Sequence, residues 1–422
     1  MDTRPGTVRR RLSRGLSALL GAFVLAGMLG SVPAQAASPP RLTARAAALY
    51  APATGQFLFT EHPGDELAVA STTKLMTALI VLEHVRDLGT VFTQNNYYPA
   101  AGDSQIGLVP GERMTVRDLL TAMMLPSGDD AAEDLAYNVG HGSIARFVAM
   151  MNARARQLGL TATHYSTPVG LDTPGNHSSA ADLDRLAAYD LAHSRAFAHM
   201  VAQPRAVLQS GSHVRVVANL NNLVSEYPWI DGVKTGHTRA AGYVLVASAR
   251  RFGLRLISSV LGTTSEASRD ANSLALLDWG YASFRLRTPL RRGQVLARPA
   301  VQDQPGLHPR LVAARGLRRV VGITQRVALR IRAPRQISGP LQRGAALGTA
   351  TVLVAGRPVA RIPLVLSAAV PAVPPLVAAG QFLTRPLSLI VLIMLVGIAG
   401  AVVLNARQRR RSRSRRRELE AA

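Results

Sequence analysis

Apolar residues recur at helical spacing through Leu75, Leu79, Leu82 and Val85, seconded by Met76, Ile80 and Val81, and the run Ser71-Thr72-Thr73 stands just before them. The period and the hydroxyl-rich start predict a buried helix with Ser71 in its first turn. Upstream, 46–50 and 56–59 read as a β-hairpin turning at Ala53-Thr54-Gly55. A second helix is predicted over 115–125, with Val116, Leu119, Leu120 and Met123 inward. Pro126 ends it, which leaves Ser127-Gly128-Asp129-Asp130 on a loop before a further helix starting near Ala131. Helical patterns return at 143–158 and 180–192, with a loop at 170–176 between them. After His213 the period becomes that of strands, at 214–217, 232–235, 243–249 and 256–261, and a closing helix covers 266–279. Strands at both ends and helices between them predict a sheet assembled from the two ends around a helical subdomain.

Beyond Arg285 short alternating runs such as 325–332 and 349–354, separated by Gly and Pro, predict a small all-β domain. Pro371, Pro374 and Pro375 mark a linker, and 387–404 is an uncharged apolar run of 18 residues, about the minimum for a transmembrane helix. Eight arginines follow between Arg407 and Arg417, so by the positive-inside rule the tail is cytoplasmic and the preceding domains are outside. The other end agrees. Arginines at 4, 9, 10, 11 and 14, an apolar stretch over 16–29 and Ala34-Gln35-Ala36 have the layout of an export signal. The predicted organisation is a signal peptide at 1–36, a catalytic domain at 38–284, a basic β-rich domain at 285–370, a linker at 371–386, a transmembrane helix at 387–405 and an Arg-rich cytoplasmic tail at 406–422. The expected location is the cell membrane, single-pass, with the catalytic domain extracytoplasmic. The tail is explained by the adjoining helix, so nucleic acid is not an expected partner.

Composition narrows the chemistry. The 422-residue chain has no cysteine, which excludes disulfides, thiolate metal sites and a cysteine nucleophile. Its ten histidines form no H-E-x-x-H pair, so no metal is expected. The net charge of +24 is unevenly placed: 38–284 is close to neutral at −2, whereas 285–370 carries 16 Arg against Asp303 alone, a balance of +15. That domain suits anionic wall polymers or a lipid surface, and equally a solvated spacer.

The same count singles out two amines. Lys74 and Lys234 are the only lysines beside 47 arginines, and a lysine, unlike an arginine, can lose its proton. Residues three apart share a helix face, so Lys74 lies beside Ser71 and can take its hydroxyl proton when neutral. The bland alternative is an N-capping serine and a solvated lysine. Lys234 stands in Lys234-Thr235-Gly236, a second element of the same catalytic set.

Three elements thus occur in order: Ser71-x-x-Lys74, Ser127-Gly128-Asp129 and Lys234-Thr235-Gly236. With them, the chain resembles the penicillin-binding serine peptidases, and among these the low-molecular-mass D-alanyl-D-alanine carboxypeptidases. The likeness extends to 231–238 and 241–249, to Gly170-Leu171-Asp172 and to 178–183, and covers about 46–370. It implies the α/β (α+β) penicillin-binding/β-lactamase-like transpeptidase fold, an antiparallel sheet with a helical subdomain, and no cofactor. It also implies a peptidoglycan stem peptide as substrate and β-lactams as covalent inhibitors. In that pattern Ser71 is the nucleophile, Lys74 its base, and Ser127 the relay to the leaving D-Ala. Lys234 and Thr235 bind the terminal carboxylate, and the backbone N–H groups of Ser71 and His237, beside Gly236, form the oxyanion hole. One position departs: where the family has Asn, this chain has Asp129, which when ionised accepts but does not donate. Two other functions follow from these residues, a scaffold disabled by Asp129 and a class A-like β-lactamase. The second lacks its glutamate, since no Glu occurs at 134–225.

Overall fold

The computed structural model describes residues 38–95, 97, 99–100, 102–375, 377 and 386–419; the export segment expected at 1–36 lies outside them. The hairpin is present as β1 (Ala46–Ala51) and β2 (Gln56–Glu61). A 3₁₀ turn, Ala70–Thr73, leads into α1 (Lys74–His84). Ser71 therefore precedes the α-helix in a tighter turn, and the N-cap position of α1 falls to Thr73, whose side chain makes no cap hydrogen bond. Residues 74–81 are all buried, where the sequence period had indicated one inward face. The reason is packing on all sides: α1 contacts α2 (Val116–Met124), α3 (Asp129–Val139), α4 (Ile144–Gln157) and α5 (Ala180–His193). A helix apolar around its circumference belongs inside a domain.

Between α1 and α2 the short strands β3 (Val91–Thr93) and β4 (Arg113–Thr115) pair, a ribbon the sequence pattern did not reveal. Thr115 caps α2 by accepting from the Asp118 amide. The helix α3 begins at Asp129, so Asp129 is helical rather than on the expected loop. Carboxylates suit a helix N-terminus. After α5 come α6 (Arg195–Val201), β5 (Arg205–Leu208), β6 (Arg215–Ala218) and α7 (Asn222–Glu226). Then β7 (Ile230–Thr238), β8 (Gly242–Arg251) and β9 (Leu254–Thr263) run as long antiparallel strands, and α8 (Glu266–Ser283) closes the unit.

The strand order is β2-β1-β9-β8-β7. The first hairpin thus joins the last three strands through β1–β9, with Ala48 opposite Ser259, and the helices lie in the sequence between. One apolar core lies among the helices and one face of the sheet, and a second is formed with Leu276, Leu277 and Tyr281 of α8. As an edge strand, β7 is free on one side to face the site.

A second compact unit takes in 287–319 and the chain from Arg326, while Val320–Gln325 groups with the first unit. Val320 is buried in the α8 core and both its backbone groups bond the Gln56 amide, at 3.0 and 3.2 Å. Its strands are β10 (Phe284–Leu290), β11 (Val295–Ala297), β12 (Ala300–Val301), β13 (Leu311–Ala313), β14 (Leu317–Gly322), β15 (Val327–Arg332), β16 (Gln336–Ile337), β17 (Ala346–Val354) and β18 (Arg357–Leu366), of which β10 and β14 straddle the division. A five-stranded sheet in the order β11-β13-β18-β17-β15 carries its own core, Ala350, Val352, Ile362 and Leu364 among it. The C-terminal helix Pro386–Leu419 contains a stretch, Leu389–Ser414, long and apolar enough to cross a membrane.

Candidate active site

The 3₁₀ turn carries Ser71 and the first turn of α1 carries Lys74, fully buried. Its Nζ lies 2.8 Å from Ser71 Oγ, 3.5 Å from Ser127 Oγ and 2.5 Å from Asp129 Oδ1, and donates to the Val169 carbonyl at 2.9 Å. All four neighbours are oxygens, which a buried amine requires. Burial pushes the Lys74 amine below the ordinary lysine range, and the Asp129 charge pulls the other way. Burial likewise pushes the Asp129 carboxyl up, against the attraction of Lys74. Desolvation therefore drives both partners toward the uncharged pair. Close by, burial and Asp129 raise Glu133 to about 7, and Tyr97 is pushed up to about 12 by burial and by surrounding carboxylates, Asp129 first.

Ser127 sits at φ 68° and Ala70, just before Ser71, at φ 49°, left-handed conformations unusual for residues with a Cβ. Both aim a site residue, and such strain persists where the surroundings over-determine it. The surroundings are visible. Asp130 accepts from the amides of Ile106, Gly107 and Leu108, and Asp129 N–H donates to the Ser104 carbonyl, so the start of α3 fixes the loop bearing Ser104.

On the opposite wall, β7 brings Thr235, Gly236 and His237 to the turn. A Cβ at Gly236 would lie 3.0 Å from the Ser71 amide nitrogen and 3.0 Å from the Val69 carbonyl, so any side chain here would press the backbone of the Ser71 turn away from β7. The His237 ring is exposed and packs against Tyr243 at a tilt of 31°, 4.1 Å between centroids. Lys234 is 1% exposed, and its Nζ has no hydrogen-bond partner among the described residues. Its amine is held well below the lysine range by burial first, with Lys74 and Arg269 adding to the effect.

The loop Gly170-Leu171-Asp172 ties the two walls together. Asp172 accepts from Thr238 Oγ1 at 2.5 Å and the Ala240 amide at 3.1 Å, while Gly170 (φ +96°) lies so close to the Ser71 turn that a Cβ there would fall 2.1 Å from the Ala70 carbonyl oxygen. Gly170→Ala is expected to cost about 2 kcal/mol and to slow acylation of Ser71, measured by thermal denaturation and penicillin labelling. Wild-type values in both would show that the turn does not depend on this contact.

Between the walls lies a cleft of about 240 Å³ lined by Ser71, Ser104, Ser127, Thr235, His237 and Arg269, together with Gly236 and Tyr243. The structure thus gathers every residue the sequence motifs named, the Lys74–Asp129 pair behind Ser71 and Lys234 on β7. Sequence reasoning missed Arg269, which is 3% exposed and bridges Glu266 and Asp270. Its signal was an arginine on the inward stripe of α8, in register with Ser273, Leu276, Leu277 and Gly280.

The comparisons with known proteins agree. The family description D-alanyl-D-alanine carboxypeptidase (peptidase family S11) matches residues 33–265. The chain belongs to this family. It is 31% identical to the carboxypeptidase DacF of Bacillus subtilis over 330 residues, 76% of this chain and 84% of the relative. Penicillin-binding protein 5 of Haemophilus influenzae superposes with a TM-score of 0.66 at 27% identity, over 79% of this chain and 99% of that structure. The Streptomyces K15 DD-transpeptidase gives 0.56 at 32% identity, over 58% and 100%. The expected fold and family are therefore those of the D-alanyl-D-alanine carboxypeptidases, a serine peptidase family.

Proposed function

We propose that the chain removes the terminal D-Ala from peptidoglycan stem peptides through an acyl-enzyme on Ser71, and that β-lactams acylate the same residue. The observation that carries this reading is the buried amine of Lys74, 2.8 Å from Ser71 Oγ at one wall of the cleft, facing β7 across it. Neutral Lys74 takes the Ser71 proton as Oγ bonds to the D-Ala-D-Ala carbonyl carbon. Charge appearing on the carbonyl oxygen meets the N–H groups of Ser71 and His237. As the C–N bond breaks, the proton passes from Lys74 through Ser127 to the leaving amine, and a water then hydrolyses the ester with Lys74 again accepting its proton. The free carboxylate of the substrate supplies the partner that Lys234 lacks, with Thr235 beside it and the Arg269 charge near.

Asp129 is where a disabled-site reading would rest. Its closeness to Lys74 gives it a different role here: Lys74 Nζ donates to its Oδ1, and the carboxylate holds the amine's pKa up against the burial that lowers it, so Asp129 sets the pH at which the base becomes available. The remaining organisation, an exported catalytic unit held at the membrane by the C-terminal helix, follows from the apolar stretch within Pro386–Leu419 and the arginines at its end.

The test uses the full chain in neutral detergent. Penicillin should add one acyl group, found on the peptide containing Ser71, and a pentapeptide ending in D-Ala-D-Ala should release D-Ala. A folded sample that forms no adduct and releases no D-Ala would sink the proposal.

A further inference from the structure

One face of the basic β unit gathers positive charge around a recess. On the edge strand β15, Arg330 and Arg332 are exposed and alternate with the inward Val327 and Leu329. Arg330 lies opposite Thr351 of β17 and Arg332 opposite Thr349, and across β17 Thr351 lies opposite Arg361 of β18. One rung of the sheet thus reads Arg330, Thr351, Arg361, and the next reads Arg332, Thr349, Pro363. These three arginines and two threonines, with Leu353 and Pro358, line a depression of about 230 Å³.

The threonines of β17 separate the arginines of β15 from Arg361, so no two like charges stand directly opposite, and the positive face still calls for counter-charge. Nothing within the described residues supplies it: no ion pair joins Arg330, Arg332 or Arg361 to a carboxylate. The forks of the guanidiniums and the threonine hydroxyls are all hydrogen-bond donors, the set that phosphate oxygens accept. Two features choose among anions. Residues 285–370 contain no Phe, Tyr or Trp, so the face has neither a ring for a sugar to stack on nor the aromatic anchors of a membrane interface. Arg330 and Arg332, two residues apart on one strand, also stand roughly 6.7 Å apart along it, which suits neighbouring phosphates joined by a short spacer.

We propose that this recess binds phosphate groups of a phosphodiester polymer, docking the protein on an anionic chain through a site separate from the cleft at Ser71. This does not depend on the carboxypeptidase reading, because no residue of the recess lines that cleft.

The experiment titrates the full chain, in neutral detergent, with a glycerol-phosphate hexamer. Binding that weakens with added salt is expected, with at least a tenfold loss in Arg330→Gln/Arg332→Gln/Arg361→Gln and an intermediate loss in Arg330→Gln/Arg361→Gln. A control of equal charge loss elsewhere in the unit, Arg298→Gln/Arg315→Gln/Arg318→Gln, should stay within twofold. Thermal denaturation and penicillin acylation should be unchanged in all three. Equal losses in the control and recess variants would reduce the effect to overall charge and overturn the proposal, as would no binding of the hexamer. It is overturned as well if micelles doped with phosphatidylglycerol compete as effectively as the hexamer, for the face would then belong to lipid headgroups.

Discussion

Lys74→Met is expected to lower acylation of Ser71 by penicillin, and release of D-Ala, by about three to four orders of magnitude. Methionine fills nearly the same volume and supplies no base, and a positioned base contributes about 10²–10⁴-fold. The substitution also strips a buried carboxylate of its ion-pair partner, which costs roughly 3–5 kcal/mol when the charge stays and less when the carboxyl takes up a proton. Asp129 is already pushed toward the protonated form by burial, so destabilisation at the low end, growing as pH rises, is expected. The double variant Lys74→Met/Asp129→Asn separates the two effects: it should melt close to the wild type and remain unacylated. Stopped-flow labelling with a fluorescent penicillin checks the rate, and a thermal melt checks the fold. Acylation within tenfold of wild type in Lys74→Met would remove Lys74 from the chemistry.

Asp129→Asn should move the lower limb of the acylation pH profile down by about one to two units, making the reaction ten- to a hundredfold faster at a pH on that limb. The sign follows from the pair. A carboxylate 2.5 Å from Nζ favours the ammonium and raises the Lys74 pKa, whereas burial lowers it. Removing the charge leaves burial unopposed, the amine loses its proton at lower pH, and the base is available earlier. The other charges facing the pair are Lys234, Asp103, Asp130 and Glu133. Glu133, raised to about 7, titrates nearby and should leave its own step in both enzymes. Asp129→Ala removes the charge without supplying an N–H, so a difference between Asn and Ala in KM measures the donor. A limb that moves up, or stays, would show that Asp129 does not govern the amine.

How much of this was legible in the sequence differs by physical cause. Periodicity located α2, α4 and α5 to within a few residues because each buries one face, and α1 because its apolar residues run together, although it is packed on all sides. The strands of the sheet match their predicted centres, but β7 runs past the predicted 232–235 through Gly236 and His237, which line the cleft, to Thr238, so no apolar alternation marks that end. The ribbons β3–β4 and β5–β6 are brief and partly exposed, and leave little pattern to read. For the site, Ser71, Lys74, Ser127 and Lys234 were legible from motif spacing and from the scarcity of lysine. Distances were not: no spacing shows that Asp129 sits within bonding reach of Lys74, or that Arg269 reaches the same cleft from the far end of the unit.

The burial of both lysines has a practical consequence. An amine-directed reagent meets no accessible lysine side chain on the folded protein, because the chain has only Lys74 and Lys234 and each is at most 1% exposed. Acylation or cross-linking aimed at surface lysines should pass the native molecule by. Modification of either one then counts molecules whose catalytic unit has opened, so labelling rate against denaturant becomes a direct gauge of that opening, read at the residues the reaction depends on.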